Sequence, residues 1–201
     1  MSAVPIHVVD DDESFLRAVA RFLRASGYSV QTHASAAEFL REREAGERGC
    51  VISDLRMPGM DGLEMQEALA CAGHTMTVIF LTGNGDIPST VSAIQQGAVD
   101  YIEKCAPKDK LLAAVQRALA RESEEHGRRK KLSLVQSRLA SLSEREREVL
   151  SEVVHGKMNK EIAAKLGIHE RTVKLHRTAI TTKLQVQSVA ELTRLWLLAR
   201  H

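Results

Sequence analysis

A chain of 201 residues, 44% apolar and 27% charged, fits one or two soluble globular domains. It has no apolar run near the ~18 residues of a membrane span, no start-of-chain segment that reads as a signal peptide, and at 3% too few aromatics for a base-stacking RNA platform. The formal charge of +2 hides a split: 11 Lys/Arg against 16 Asp/Glu up to Ala120, a net of −5, then 17 against 10, a net of +7, which suggests two domains, the second suited to a polyanion.

Ile6–Val9 is a short apolar run stopped by Asp10-Asp11-Asp12-Glu13, after which Phe15, Leu16, Val19, Phe22 and Leu23 recur at helical spacing until Gly27. The pattern predicts strands over Ser29–His33, Cys50–Ser53, Thr77–Leu81 and Val99–Ile102. Helices are predicted over Ser35–Glu44, Gly62–Cys71, Ile87–Gln96 and Lys108–Ala120. Five strand-then-helix units imply a five-stranded parallel sheet covered on both faces. Arg121–Lys131 contains no Val, Ile, Leu, Met or aromatic residue and reads as a linker or a solvated helical extension, with helical spacing resuming at Leu132, Val135 and Leu139. Four short helices follow. Ser143 and Glu146 form a capping-box pattern ahead of Val149, Leu150, Val153 and Val154, with Gly156 as the stop. Asn159 is predicted to cap Lys160–Leu166, Gly167 to end it, and further helices to run over Glu170–Leu184 and from Ser188 through Val189, Leu192, Leu195, Trp196 and Leu198.

In an open parallel sheet, chemistry gathers outside the carboxyl ends of the strands. Asp10 and Asp11 end the first strand, Asp54 the third, Thr82 the fourth and Lys104 the fifth. Any one of these acids alone reads as a helix cap or a turn; four strand ends agreeing reads as a site. Three converging carboxylates need a cation, and a hard divalent ion such as Mg²⁺ suits oxygen donors. The set suits phosphoryl transfer to Asp54, with Lys104 and Thr82 holding the phosphoryl oxygens. Cys50, Cys71 and Cys105 form neither a disulfide framework nor a metal cluster, which fits a reducing cytoplasm.

Val-Val-Asp-Asp-Asp-Glu, Ser-Asp-Leu-Arg-Met-Pro-Gly-Met-Asp-Gly, Leu-Thr-Gly-Asn-Gly-Asp-Ile-Pro and Ala-Val-Asp-Tyr-Ile-Glu-Lys resemble the flavodoxin-like receiver domain of bacterial two-component response regulators. The resemblance implies a sensor histidine kinase that phosphorylates Asp54. It also implies Mg²⁺ (or Mn²⁺) on Asp11, Asp54 and the backbone carbonyl of Arg56, Asp10 acting through water, a Thr82 hydroxyl that follows the phosphate, and a Tyr101 ring that turns inward behind it. Such a protein is a switch rather than a turnover enzyme, and many dimerise when phosphorylated. One departure stands out: the family usually places Pro after the lysine, on a cis peptide, whereas Cys105 follows Lys104. A cis bond to a non-proline residue costs about 3–4 kcal/mol, so a trans or strained loop and a less firmly placed Lys104 are expected. Cys105 beside that lysine also allows a redox role.

Two helices joined by Gly167-Ile168-His169 read as a helix-turn-helix, with the helix from Glu170 entering the major groove. Leu-Ser-Glu-Arg-Glu-Arg-Glu-Val-Leu, Gly-Lys-Met-Asn-Lys-Glu-Ile-Ala-Ala-Lys-Leu-Gly-Ile and Arg-Thr-Val-Lys-Leu-His-Arg resemble the LuxR-type DNA-binding domain. The resemblance implies that Lys174, Leu175 and Thr178 face bases, that Thr172, His176 and Arg177 contact phosphates, and that Glu146 sits in the core despite its charge. His169 stands where the family usually has a capping Ser, which predicts a weaker cap. Together the halves resemble the FixJ/NarL class: a receiver over 1–120, a charged helical linker over 121–138 and a small all-α helix-turn-helix domain over 139–201. The implied partners are promoter DNA, RNA polymerase and a second copy, with no membrane. The alternative is a phosphorylation-independent DNA-binding regulator whose first half is a dimerisation or redox-responsive module. A third reading, a flavodoxin or phosphatase fused to a DNA-binding tail, fits poorly, because four acids repel a flavin phosphate and Asp54 has no general base nearby in sequence.

Overall fold

The computed structural model describes residues 4–44, 46–73, 76–83, 91 and 93–200. They fall into two compact units, Met1–His126 and Gly127–His201.

In the first unit β1 (Ile6–Val9), β2 (Val30–His33), β3 (Cys50–Asp54), β4 (Thr77–Thr82) and β5 (Asp100–Glu103) form one parallel sheet in the order β2-β1-β3-β4-β5. Residue alternation sorts the apolar strands between two cores. Ile6, Val8, Cys50, Ile52, Ile79 and Leu81 pack with Leu16, Val19 and Leu23 of α1 (Glu13–Ala25) and with Leu111, Ala114 and Val115. Val9, Val51, Val78 and Phe80 face the other way, onto Phe39 of α2 (Ala36–Glu42) and Met65 and Leu69 of α3 (Gly62–Cys71). Register sets the site: Val9 pairs with Ser53, Asp54 with Leu81 and Thr82 with Glu103, so the three inner strands and β5 end at one level. Asp12 caps α1 by accepting from the Ser14 and Phe15 amides, while Asp61 and Glu64 form a reciprocal capping box on α3. Gly62 allows that helix to start hard against the exit of β3, since a Cβ there would lie 2.5 Å from the Asp54 carbonyl oxygen and 2.8 Å from the Phe80 ring. Val91 and residues 93–95 are helical. Gln96 is already in the turn that follows; residues 87–90 and 92 of the predicted helix, and the Asn84–Pro88 part of its motif, lie outside the described residues.

The helix predicted over Lys108–Ala120 continues through the charged stretch expected to be a helical linker. α4 runs from Lys108 to Ala140. Its charged stretch was expected to bury nothing, yet Glu122 is 1% exposed and accepts two 2.8 Å hydrogen bonds from the Arg48 guanidinium. Arg121 and Glu125 add an i,i+4 pair at 3.0 Å.

The second unit continues with α5 (Glu144–Val154), α6 (Asn159–Leu166), α7 (Glu170–Leu184) and α8 (Val189–Arg200). Val149, Leu150, Val153, Ile162, Val173, Ile180, Leu184, Leu192 and Leu195 form its core, with Val135 and Leu139 packed against it. The Ser143–Glu146 capping box is present. The cap of α6 differs from expectation: Met158 holds that position, Glu161 reaches back to its amide at 2.7 Å, and Asn159 is already helical. Gly167 ends α6 in the left-handed conformation, φ 66°, and turns the chain into α7. Among the described residues no helix is long and apolar enough to cross a membrane.

Candidate functional site

The level strand ends bring Asp10, Asp11 and Asp54 together, one carboxylate oxygen from each lying within 4.8 Å of the others. The Lys104 ammonium sits 2.7 Å from Asp10 Oδ2 and 2.7 Å from Asp54 Oδ2, and 4.5 Å from the Phe15 ring centroid. Backbone amides fix the other oxygens: Asp12 N–H donates to Asp10 Oδ1 at 2.9 Å and Arg56 N–H to Asp54 Oδ1 at 3.3 Å. Asp10, Asp54 and Thr82 are buried, while Asp11 is exposed. The peptide between Lys104 and Cys105 is trans. The expected misplacement of Lys104 is therefore absent, because the lysine reaches both carboxylates across a trans bond. The exposed Cys105 thiol lies 3.5 Å from Glu103 Oε2. Tyr101 is half-buried against the α2–α3 core, its hydroxyl enclosed and without a hydrogen-bond partner among the described residues.

Burial pushes the Asp10 carboxyl above its ordinary value, against the opposing pull of Lys104 and the Asp12 amide. Burial works to lower Lys104 too, but its pairing with Asp10 and Asp54 outweighs it and holds the ammonium above its usual range. One ammonium faces three carboxylates. Asp10 Oδ2 lies at ion-pair distance from Lys104 yet has no well-directed hydrogen bond, which leaves a buried oxygen lone pair to satisfy. This all-oxygen, net-negative donor set fits a hard divalent cation.

In the second unit Arg171, Lys174, Leu175 and Thr178 are exposed on α7 at i, i+3, i+4 and i+7, one open side of the helix, with Leu175 at 64%. Thr172, His176 and Arg177 are half-buried beside it. The Arg177 guanidinium donates to Asn159 Oδ1 at 3.0 Å, a tie to α6 that sequence reasoning missed. The Thr178 hydroxyl donates to the Lys174 carbonyl at 3.1 Å. His169 caps α7 through its backbone alone, with no side-chain hydrogen bond. Glu146 is 6% exposed, as expected, and its partner is Lys183, 2.7 and 2.9 Å away. On α8, Leu192 and Leu195 are core, Trp196 is partly buried, and Val189, Leu197 and Leu198 are about half exposed.

A carboxylate pocket on a parallel sheet, joined in one chain to a helix-turn-helix unit, defines a class, and comparison with known families agrees. The response regulator receiver domain matches residues 6–116, and the luxR family of bacterial regulatory proteins matches residues 140–196. The chain belongs to the two-component response regulators that carry a receiver domain and a LuxR-type DNA-binding domain. It is similar to the transcriptional regulatory protein FixJ of Azorhizobium caulinodans, 43% identical over 197 residues, which span 98% of this chain and 93% of that protein. Among solved structures, the response regulator StyR superposes with a TM-score of 0.89 at 38% identity, covering 98% of this chain and 99% of that one. Full-length FixJ from B. japonicum does so with a TM-score of 0.59 at 33% identity, covering 100% and 98%.

Proposed function

We propose that this protein is a cytoplasmic transcription regulator switched by phosphorylation of Asp54. A sensor histidine kinase is the donor: an Asp54 carboxylate oxygen attacks phosphorus, the P–N bond of the kinase phosphohistidine breaks, and the imidazole leaves with the electron pair. Asp11, Asp54 and the Arg56 carbonyl are the residues to hold Mg²⁺ (or Mn²⁺), with Asp10 behind a water. When bound, such an ion neutralises charge on the transferring group. Lys104 moves its ammonium from the Asp54 carboxylate to a phosphoryl oxygen, Thr82 donates its hydroxyl to another, and Tyr101 fills the space behind Thr82. The protein turns over no substrate.

The phosphorylated receiver, 1–120, favours a homodimer. The linker, 121–138, leads to the DNA-binding domain, 139–201, which places two copies of α7 in successive major grooves of promoter DNA. Lys174, Leu175 and Thr178 reach base edges; Thr172, His176 and Arg177 reach phosphates, Arg177 after leaving Asn159. RNA polymerase is the downstream partner.

The observation that carries this reading is Lys104 held 2.7 Å from both Asp10 and Asp54 beside Asp11. It favours the phosphorylated switch over a constitutive or redox-responsive module, whose sequence support is Cys105 in the place of the family's proline. The test is labelling of the full chain with acetyl phosphate and Mg²⁺. Wild type is expected to take up one phosphoryl group, and Asp54→Asn or chelation by EDTA to abolish uptake. Equal labelling of Asp54→Asn removes the assignment.

A further inference from the structure

The helix that carries the base-facing candidates ends in an unfavourable way. Gln185 lies at φ 54°, ψ 48°, the left-handed region, and is the only residue other than glycine there among those described. Glycine adopts that conformation freely; a residue with a Cβ does not. Gly167 closes α6 in the same way at φ 66° and needs no outside help. Gln185 has help. Arg138, in the last turn of α4, donates from Nη2 to Gln185 Oε1 at 2.6 Å and from Nη1 to the Leu184 carbonyl at 3.1 Å. The Leu184 carbonyl is one of the last four of α7, which have no N–H donor within the helix, and a guanidinium there also answers the negative end of the helix dipole. Val135 and Leu139, on the same stretch of α4, pack on the core that contains Leu184.

Backbone strain persists only where the surrounding structure holds it, and here a fork of charged hydrogen bonds does so. We propose that Arg138 is a positioning residue for DNA recognition: its fork holds Gln185 in the left-handed conformation, so that the last turn of α7 stays formed and the recognition helix keeps its pose. Both terminal nitrogens of the guanidinium are bonded within the protein, and the proposed role requires no contact with DNA. This inference rests on the reading of α7 as the DNA-facing helix.

The strained residue supplies the test, because Gln185→Gly removes the need for the fork. Full-length proteins are titrated against a duplex selected from a random-sequence pool by the wild-type chain, over a range of salt. Arg138→Ala is expected to bind roughly tenfold more weakly, in line with losing a cation and its hydrogen bonds at a helix end. Its dependence of log affinity on log salt is expected to match wild type, because no phosphate contact is lost. Adding Gln185→Gly is expected to return affinity to within about twofold of wild type, since glycine holds the left-handed cap alone. Wild-type affinity for Arg138→Ala overturns the proposal, as does a salt slope reduced by about one, which marks a direct phosphate contact. Failure of Gln185→Gly to rescue overturns it too. Should thermal melting show Arg138→Ala unfolded, Arg138→Lys, which keeps the charge and one bond, is expected to bind with intermediate affinity and to be lifted by Gln185→Gly; no lift overturns the proposal. Lys174→Ala, measured alongside, separates the two levels: if it too binds as wild type, the reading of α7 fails rather than the role of Arg138.

Discussion

Glu146 shows how one side chain can be a core residue and an ion at once. It sits at the first turn of α5, where a carboxylate is favoured by the helix dipole and by the reciprocal cap with Ser143. Burial there is tolerated because Lys183, 37 positions later, supplies its ammonium to both oxygens. Hydrogen bonds from Lys183 and then from the Ser143 amide hold the Glu146 carboxyl below its ordinary value, although burial opposes them. A depressed folded pKa means that the unfolded chain takes up the proton first as pH falls. The stabilisation is thus fully present above the ordinary value of 4.5 and is lost as pH drops through the lower, folded value. Urea melts of the wild type below pH 4.5 are expected to show this loss, and Glu146→Gln to be flatter there and about 1 kcal/mol less stable at pH 7, the order of one charge-assisted hydrogen bond. Identical acid profiles in the two proteins count against the role of this pair.

Among the elements, those whose stability comes from periodic apolar burial were legible in the sequence, and those held by distant polar partners were not. The five strands announce themselves as short apolar runs because both faces are covered, and their ends place Asp10, Asp54, Thr82 and Lys104 at one rim without further information. The continuation of α4 past Ala120 is invisible to periodicity: Glu122 is anchored by Arg48, 74 positions away, and no apolar residue marks the turn. Asn159 has the residue type of a cap, but Glu161 satisfies the Met158 amide and the Asn159 side chain accepts from Arg177 instead. The cap of α7 was read correctly as weak. His169 has cap geometry, φ −77° and ψ 147°, but its imidazole makes no bond to the first-turn amides. His169→Ser keeps that backbone and adds an acceptor for the amide of Arg171 or Thr172. Stability of the chain in urea is expected to rise by about 1 kcal/mol. No rise indicates that those amides are already satisfied by the turn.

At the scale of the whole molecule, the charge division at Ala120 separates an acidic half that carries the carboxylate pocket from a basic half that carries α7. The carboxylate cluster lies within Met1–His126, and the exposed side of α7 within Gly127–His201. Under the proposed switch, a change in the number of chains per particle is one quantity that carries phosphorylation of Asp54 to α7. One helix-turn-helix unit reads one half-site. Two held as a pair read half-sites about one turn of DNA apart, and pairing in advance removes the entropic cost of bringing the second copy to the duplex. Beryllofluoride with Mg²⁺ imitates an aspartyl phosphate without turnover, so it isolates the switch from the kinase. Sizing of the full chain is expected to show a doubling of mass on adding both reagents, and DNA titration a tightening of at least tenfold, since avidity typically exceeds single-site affinity by about 10²-fold or more. Both effects are expected to vanish in Asp54→Asn and in EDTA. If the protein pairs and binds DNA equally well without Mg²⁺ or beryllofluoride, Asp54 is not the switch, and the first unit serves only as a standing dimerisation module.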